Sequence, residues 1–125
     1  MGRYPKGITA IVDYPTLPGG TPARVEMNTG VMERNMSVFN RIPKSHQMFI
    51  MLHEMAHVVL RTDNEIEADA WAFKKYADMG YPLSESVKAL TRILNPNLRD
   101  HNERMYLQTL RAEKYDREIN HNTKV

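Results

Sequence analysis

The run His53-Glu54-Met55-Ala56-His57 sets two imidazoles four residues apart, with a carboxylate directly after the first. On a helix of roughly 3.6 residues per turn, His53 and His57 stand about 40° apart around the axis and one turn apart along it, so both can bind one tetrahedral metal ion. Glu54 falls at the edge of that face. There it misses the metal yet reaches the water that a metal activates, which is the place of a general base in metal-assisted hydrolysis. A pentapeptide with three fixed positions also arises by chance in unrelated proteins, so its surroundings carry the weight. Here they are Phe49, Ile50, Leu52, Val58, Val59 and Leu60. Polar groups left unpaired among such neighbours cost roughly 1–3 kcal/mol each, and a zinc ion would satisfy all three.

The chain has no cysteine, so a metal must be held by histidine and carboxylate. A catalytic zinc takes three protein donors and keeps the fourth position open, which calls for one more ligand. The run Asn64-Glu65-Ile66-Glu67-Ala68-Asp69 offers it. Glu65 and Asp69 are four apart and share a helical face, whereas Glu67 points about 160° away from Asp69 and suits a solvated helix start. Glu65 is the expected third ligand, and Asp69 the expected acceptor that orients an imidazole N–H. Asp63 competes with Glu65, because it stands six residues after His57, where another class of zinc peptidases carries its last donor; the glycine of that pattern is replaced by Leu60.

These residues need elements to hold them. Gly7 to Tyr14 is rich in β-branched types and reads as a strand closed by Pro15; Pro15 to Pro22 reads as a loop; Ala23 to Ile42 alternates loosely around a turn at Asn28 to Gly30, giving two or three antiparallel strands. Ser45 is the expected N-cap of a central helix from His46 to Leu60. After a break at Arg61 to Asp63, a second helix runs from Asn64 to Met79, ended by Gly80 and Pro82. A third begins near Ser84 and stops before Pro96, and a fourth, exposed one spans Leu98 to about Ile119, with a frayed tail from Asn120. With 125 residues, one α+β domain covering 1–125 is expected: a small N-terminal antiparallel sheet packed on the zinc-binding helix pair, with two further helices.

HEMAH followed by E-x-E-A-D-x-x-A, carried by Glu65, Glu67, Ala68, Asp69 and Ala72, resembles the gluzincin metallopeptidases of the HtpX and CAAX-prenyl-protease kind, and related spacing occurs in ImmA/IrrE-type peptidases. The lack of an apolar segment long enough to cross a membrane makes the chain more similar to the soluble minigluzincins. The resemblance covers about residues 46 to 76. It implies a zincin-like fold, a Zn2+ cofactor, and the glutamate that opens the E-x-x-x-D run, Glu65, as third ligand. A faint echo of the families' His-Pro-x-x-x-x-Arg segment lies at Asp100 to Met105, without the proline and at different spacing.

The expectation is a zinc peptidase that hydrolyses peptide bonds with Glu54 as general base, acting on a protein or peptide extended along a sheet edge. His101, Arg104, Tyr76 and Tyr106 are candidates for stabilising the oxyanion. His46, seven residues before His53, suits an exposed helix end better than the site, and Trp71, Phe73 and Tyr76 suit the core. A net charge of +2 with scattered basic residues gives no reason to expect nucleic acid. The opening residues form no apolar signal stretch, and the longest apolar run, Met48 to Leu52, is far too short to span a bilayer, so a cytoplasmic location without membrane insertion is expected. Two other readings stay open: a catalytically silent protein that zinc merely stabilises, and a latent enzyme whose tail occupies the cleft.

Overall fold

The computed structural model describes residues 7–93 and 101–123. Strands β1 (Ala10–Tyr14), β2 (Ala23–Glu26) and β3 (Val31–Asn35) are followed by a one-turn helix α1 (Met36–Phe39) and then α2 (Lys44–Leu60), α3 (Glu65–Asp78), α4 (Leu83–Ile93) and α5 (His101–Thr123). The architecture is α+β, with the sheet N-terminal to the helices.

The strand order is β1-β3-β2. β2 and β3 form an antiparallel hairpin around residues 27–30, but β1 pairs parallel to β3, from Ala10 opposite Val31 to Tyr14 opposite Asn35. The sheet is therefore mixed rather than purely antiparallel. The cause is the proline-rich connection, which carries a 3-10 turn at Pro18–Gly20 and sets β2 two strand spacings from β1, roughly 10 Å. β3 then fills the slot between them, and among the described residues β2 is left as a free edge.

Two local expectations change. Val38 and Ile42 do not extend a strand: α1 and the turn after it bring Phe39 and Ile42 onto Ala23 and Ile50. The three-residue spacing of Met36, Phe39 and Ile42 fits that helical turn better than a period of two. Ser45 caps nothing. The carbonyl of Pro43 accepts from the amides of His46 and Gln47 at 2.9 Å each, so α2 opens directly behind the proline and Ser45 lies inside its first turn.

α2 is buried on two sides. Phe49 and Leu52 meet Ala72, Phe73 and Tyr76 of α3 and Ala89 and Leu90 of α4, while Val58 meets Ile8 and Met32 beneath the sheet. Each such large apolar side chain contributes about 1.5–3 kcal/mol on burial. α3 opens on Asn64, whose Oδ1 accepts from the amides of Ile66 and Glu67 at 2.9 and 3.1 Å, a cap worth about 1 kcal/mol. It closes, as expected, at Gly80, whose φ of +87° a side chain would resist. α5 packs one face inward rather than lying wholly exposed: Arg104 and Gln108 are buried, and Tyr115 meets Phe73 edge-to-face. The stop of α4 before Pro96 and the last two residues of the tail lie outside the described residues, although α5 continues to Thr123. Among the described residues no helix is long and apolar enough to cross a membrane.

Candidate metal centre

α2 and α3 pack against each other across a short connection that decides the site. Arg61 takes a left-handed conformation (φ 52°, ψ 51°) at the end of α2, and the chain turns back so that the Thr62 amide bonds the His57 carbonyl at 3.1 Å. The same turn brings the Thr62 carbonyl to 2.8 Å from His57 Nδ1. A carbonyl only accepts, so Nδ1 carries the proton and the lone pair of His57 is left on Nε2. Asp69, one turn into α3 from Glu65, stands with Oδ1 2.9 Å from Nδ1 of His53; the approach lies off the hydrogen-bond axis, and among the described residues no other group hydrogen-bonds that nitrogen. The Nε2 of His53 is thereby also turned towards the site.

Three acceptor atoms converge as a result. His53 Nε2 and His57 Nε2 are 3.3 Å apart, and Glu65 Oε1 lies 3.4 Å from the first and 2.7 Å from the second. Lone pairs at such distances repel unless a cation stands among them. Two imidazole nitrogens bound at about 2.0–2.1 Å to one tetrahedral ion are separated by roughly 3.3–3.4 Å, which is the spacing of the two histidines. The 2.7 Å contact to Glu65 is shorter than that edge and has the length of a charge-assisted hydrogen bond. His53, His57 and Glu65 form a cluster that could hold a metal ion.

The titration behaviour follows the same geometry. Burial opposes a charge on His53, but the carboxylates of Asp69 and Glu65 outweigh it and raise the imidazole to about 9. His57 is also raised, burial again being outweighed, here by Glu65 and the Thr62 carbonyl. Burial would raise Glu65, yet the two imidazoles hold it well below the usual carboxylate range. Asp69 is likewise held low against its burial, by Arg104 and then by His53.

Arg104 has the part that sequence reasoning did not foresee. Its guanidinium makes a two-pronged pair with Asp69, Nε to Oδ2 at 2.6 Å and Nη2 to Oδ1 at 2.7 Å, and Nη1 stands 3.5 Å from Glu65 Oε2. Both members of the pair are buried. Breaking such a pair from one side costs about 3–5 kcal/mol. Arg104 thus stands behind the donor set and holds Asp69, rather than facing an oxyanion. No protein-family model, curated protein or solved structure matches this chain.

The remaining candidates separate cleanly. Tyr76 is fully buried, with its hydroxyl donating to the Ser45 carbonyl at 2.9 Å, and Tyr106 lies on the exposed side of α5. The side chain of His101 and the whole of Asp100 lie outside the described residues. Phe73 and Tyr76 are core, with Trp71 packed against them. Asp63 lines the cleft without joining the donor cluster, and Glu67 turns outward to accept from Thr62 Oγ1 at 3.1 Å. His46 is buried, not exposed: α4 packs across the start of α2 and covers it with Glu85 and Arg92. The backbone carbonyl of Thr62 has no signature in sequence, since every residue carries one. Arg104 had a weak one, a cation at the end of the faint family echo.

Glu54 completes the arrangement. It lines a cleft of about 300 Å³ with His57, Glu65 and Asp63, beneath Arg24, Val25 and Met27 of the free edge formed by β2 and its turn. Burial pushes its carboxyl up to about 7, with His53 and His57 pulling it partly back. Among the described residues it has no hydrogen bond or ion pair.

Proposed function

We propose that the chain is a zinc-dependent peptidase whose cofactor is held by His53, His57 and Glu65 and whose general base is Glu54. The observation that carries this reading is the state of Glu54: a buried carboxyl, without a hydrogen bond or ion pair among the described residues, opening onto the cleft beside three convergent donors. Burying an unpaired carboxyl is costly, and a site that only stabilised the fold would gain nothing from it. Zinc supplies Lewis acidity when bound, polarising a carbonyl and acidifying water.

The chain's own residues supply the rest. Glu54, poised near neutrality, accepts the proton of the attacking water and passes it to the leaving amine. Thr62 and Asp69 keep the two imidazoles turned, and Arg104 keeps Asp69 in place. The free edge of β2 offers main-chain groups to an extended peptide, which suits a protein or peptide substrate. Glu54→Gln tests this directly. The variant should fold and take up zinc like the parent, while hydrolysis of a peptide that the parent cuts should drop by about 10²–10⁴-fold. Equal cleavage by both proteins would sink the mechanism.

A further inference from the structure

The cleft over the metal centre does not end at Met27. That residue also lines a second groove, of about 430 Å³, walled by Val58 and Val59 of α2, by Gly7 and Thr9 before β1, by the β2–β3 turn and by Arg61. Arg61 is exposed, and among the described residues its side chain has no hydrogen bond, ion pair or ring contact. It is also the only non-glycine residue with positive φ among them. Glycine would make the same turn without the strain of roughly 1–2 kcal/mol that a side chain suffers there. The arginine therefore costs the fold something that no hydrogen bond or ion pair among the described residues returns. A cation without a partner in the wall of a groove that shares Met27 with the cleft is suited to a ligand that is anionic at one place.

We infer that this groove is a specificity subsite that takes peptides bearing an acidic side chain two or three residues to the N-terminal side of the bond facing Glu54. The cleavage register rests on the peptidase reading; the groove's preference for an acidic peptide does not. β2 runs from the metal cleft towards the second groove, since Arg24 and Val25 line the former, Met27 lines both, and Asn28 lines the latter. A peptide added antiparallel, the more stable pairing, runs the opposite way and reaches the groove with its N-terminal part. Arg61 lies four residues beyond His57, about 6 Å at the helical rise, which an extended peptide covers in roughly two residues.

The test uses zinc-loaded Glu54→Gln protein, so that nothing is cut, and fluorescent peptides with both ends blocked that differ only in Glu or Gln at that place. Anisotropy titrations should show the Glu peptide bound about three- to fivefold more tightly, the span of a partly exposed ion pair, with the advantage shrinking as salt is added. Adding Arg61→Gly, which suits the left-handed backbone and keeps the fold, should erase the difference. Equal affinity for Glu and Gln peptides, discrimination that persists without Arg61, or no measurable binding of either peptide would overturn the inference. Parent protein that binds with this discrimination but cuts no peptide would leave the groove and remove the peptidase reading. Cleavage without discrimination would do the reverse.

Discussion

The two ends of α2 each carry a buried imidazole, and they come to opposite ends. At the N-terminal end Arg92 Nε donates to Nδ1 of His46 at 2.9 Å; arginine keeps its protons, so His46 holds its own on Nε2, which faces Glu85 Oε1 at 2.7 Å. Both ring nitrogens are used. Two turns on, His57 bonds the Thr62 carbonyl through Nδ1, His53 sets its Nδ1 beside the Asp69 carboxylate, and each turns Nε2 towards the other and towards Glu65. What separates a site from a satisfied core histidine is the lone pair left over, not the spacing: His46 is seven residues from His53 and near the same helical face.

The comparison breaks most visibly on metal affinity. His57→Ala should weaken zinc binding more than a hundredfold in a competition titration with a chelating dye, beyond the loss typical of an outer partner. His46→Ala should bind zinc as the parent does while melting at a lower temperature. Loss of zinc in the His46 variant, or its retention in the His57 variant, would reverse the assignment of the two ends.

A smaller effect is expected where the two ends resemble each other, in the group behind the ring. Asp69→Asn keeps the size of the side chain but weakens its hold on both His53 and Arg104, and should lower zinc affinity by about 10–100-fold without abolishing it. A loss as complete as that of His57→Ala would mark Asp69 as a ligand.

The smallest change sharpens the contrast through pH. In chelator-treated protein His53 is raised from 6.5 to about 9, so the stability its proton contributes is complete below pH 6.5 and lost as pH climbs to 9. Glu54, pushed up to about 7, acts in the same sense from its ordinary 4.5, because the folded chain keeps a proton that the unfolded chain gives up. Glu65 and Asp69, both held low, contribute stability that vanishes only on acidification below the usual carboxylate range. The melting temperature of metal-free protein should thus fall steadily from pH 6.5 to 9. Zinc affinity should rise over the same interval, since the ion competes with those protons. Parallel curves for the two quantities would mean that the imidazoles are not where proton and metal compete.

Much of the site was legible because its logic is local. The spacing of His53, Glu54 and His57, and of Glu65 and Asp69, follows from helical arithmetic, and Asn64 and Gly80 bound α3 by capping rules that operate within a few residues. The sheet was less legible. Its strands could be located, but nothing within β1 says that its neighbour will be the parallel β3, a pairing settled by the reach of the Pro15–Pro22 connection. The start of α2 slipped for a related reason: Ser45 has the right type for a cap, and Pro43, already committed to its φ, began the helix before it.

By itself, then, the amino-acid order determined which side chains could meet one ion, because residues four apart on a helix are neighbours whatever surrounds them. Only the tertiary structure decided which of them lie close enough together to do so. His46 was withdrawn by α4, and Arg104 was brought from α5 to hold Asp69. The Thr62 carbonyl was turned back onto His57. These are contacts between segments distant in sequence, or backbone atoms without a side-chain signature, and their positions depend on how the helices close over the apolar faces of α2.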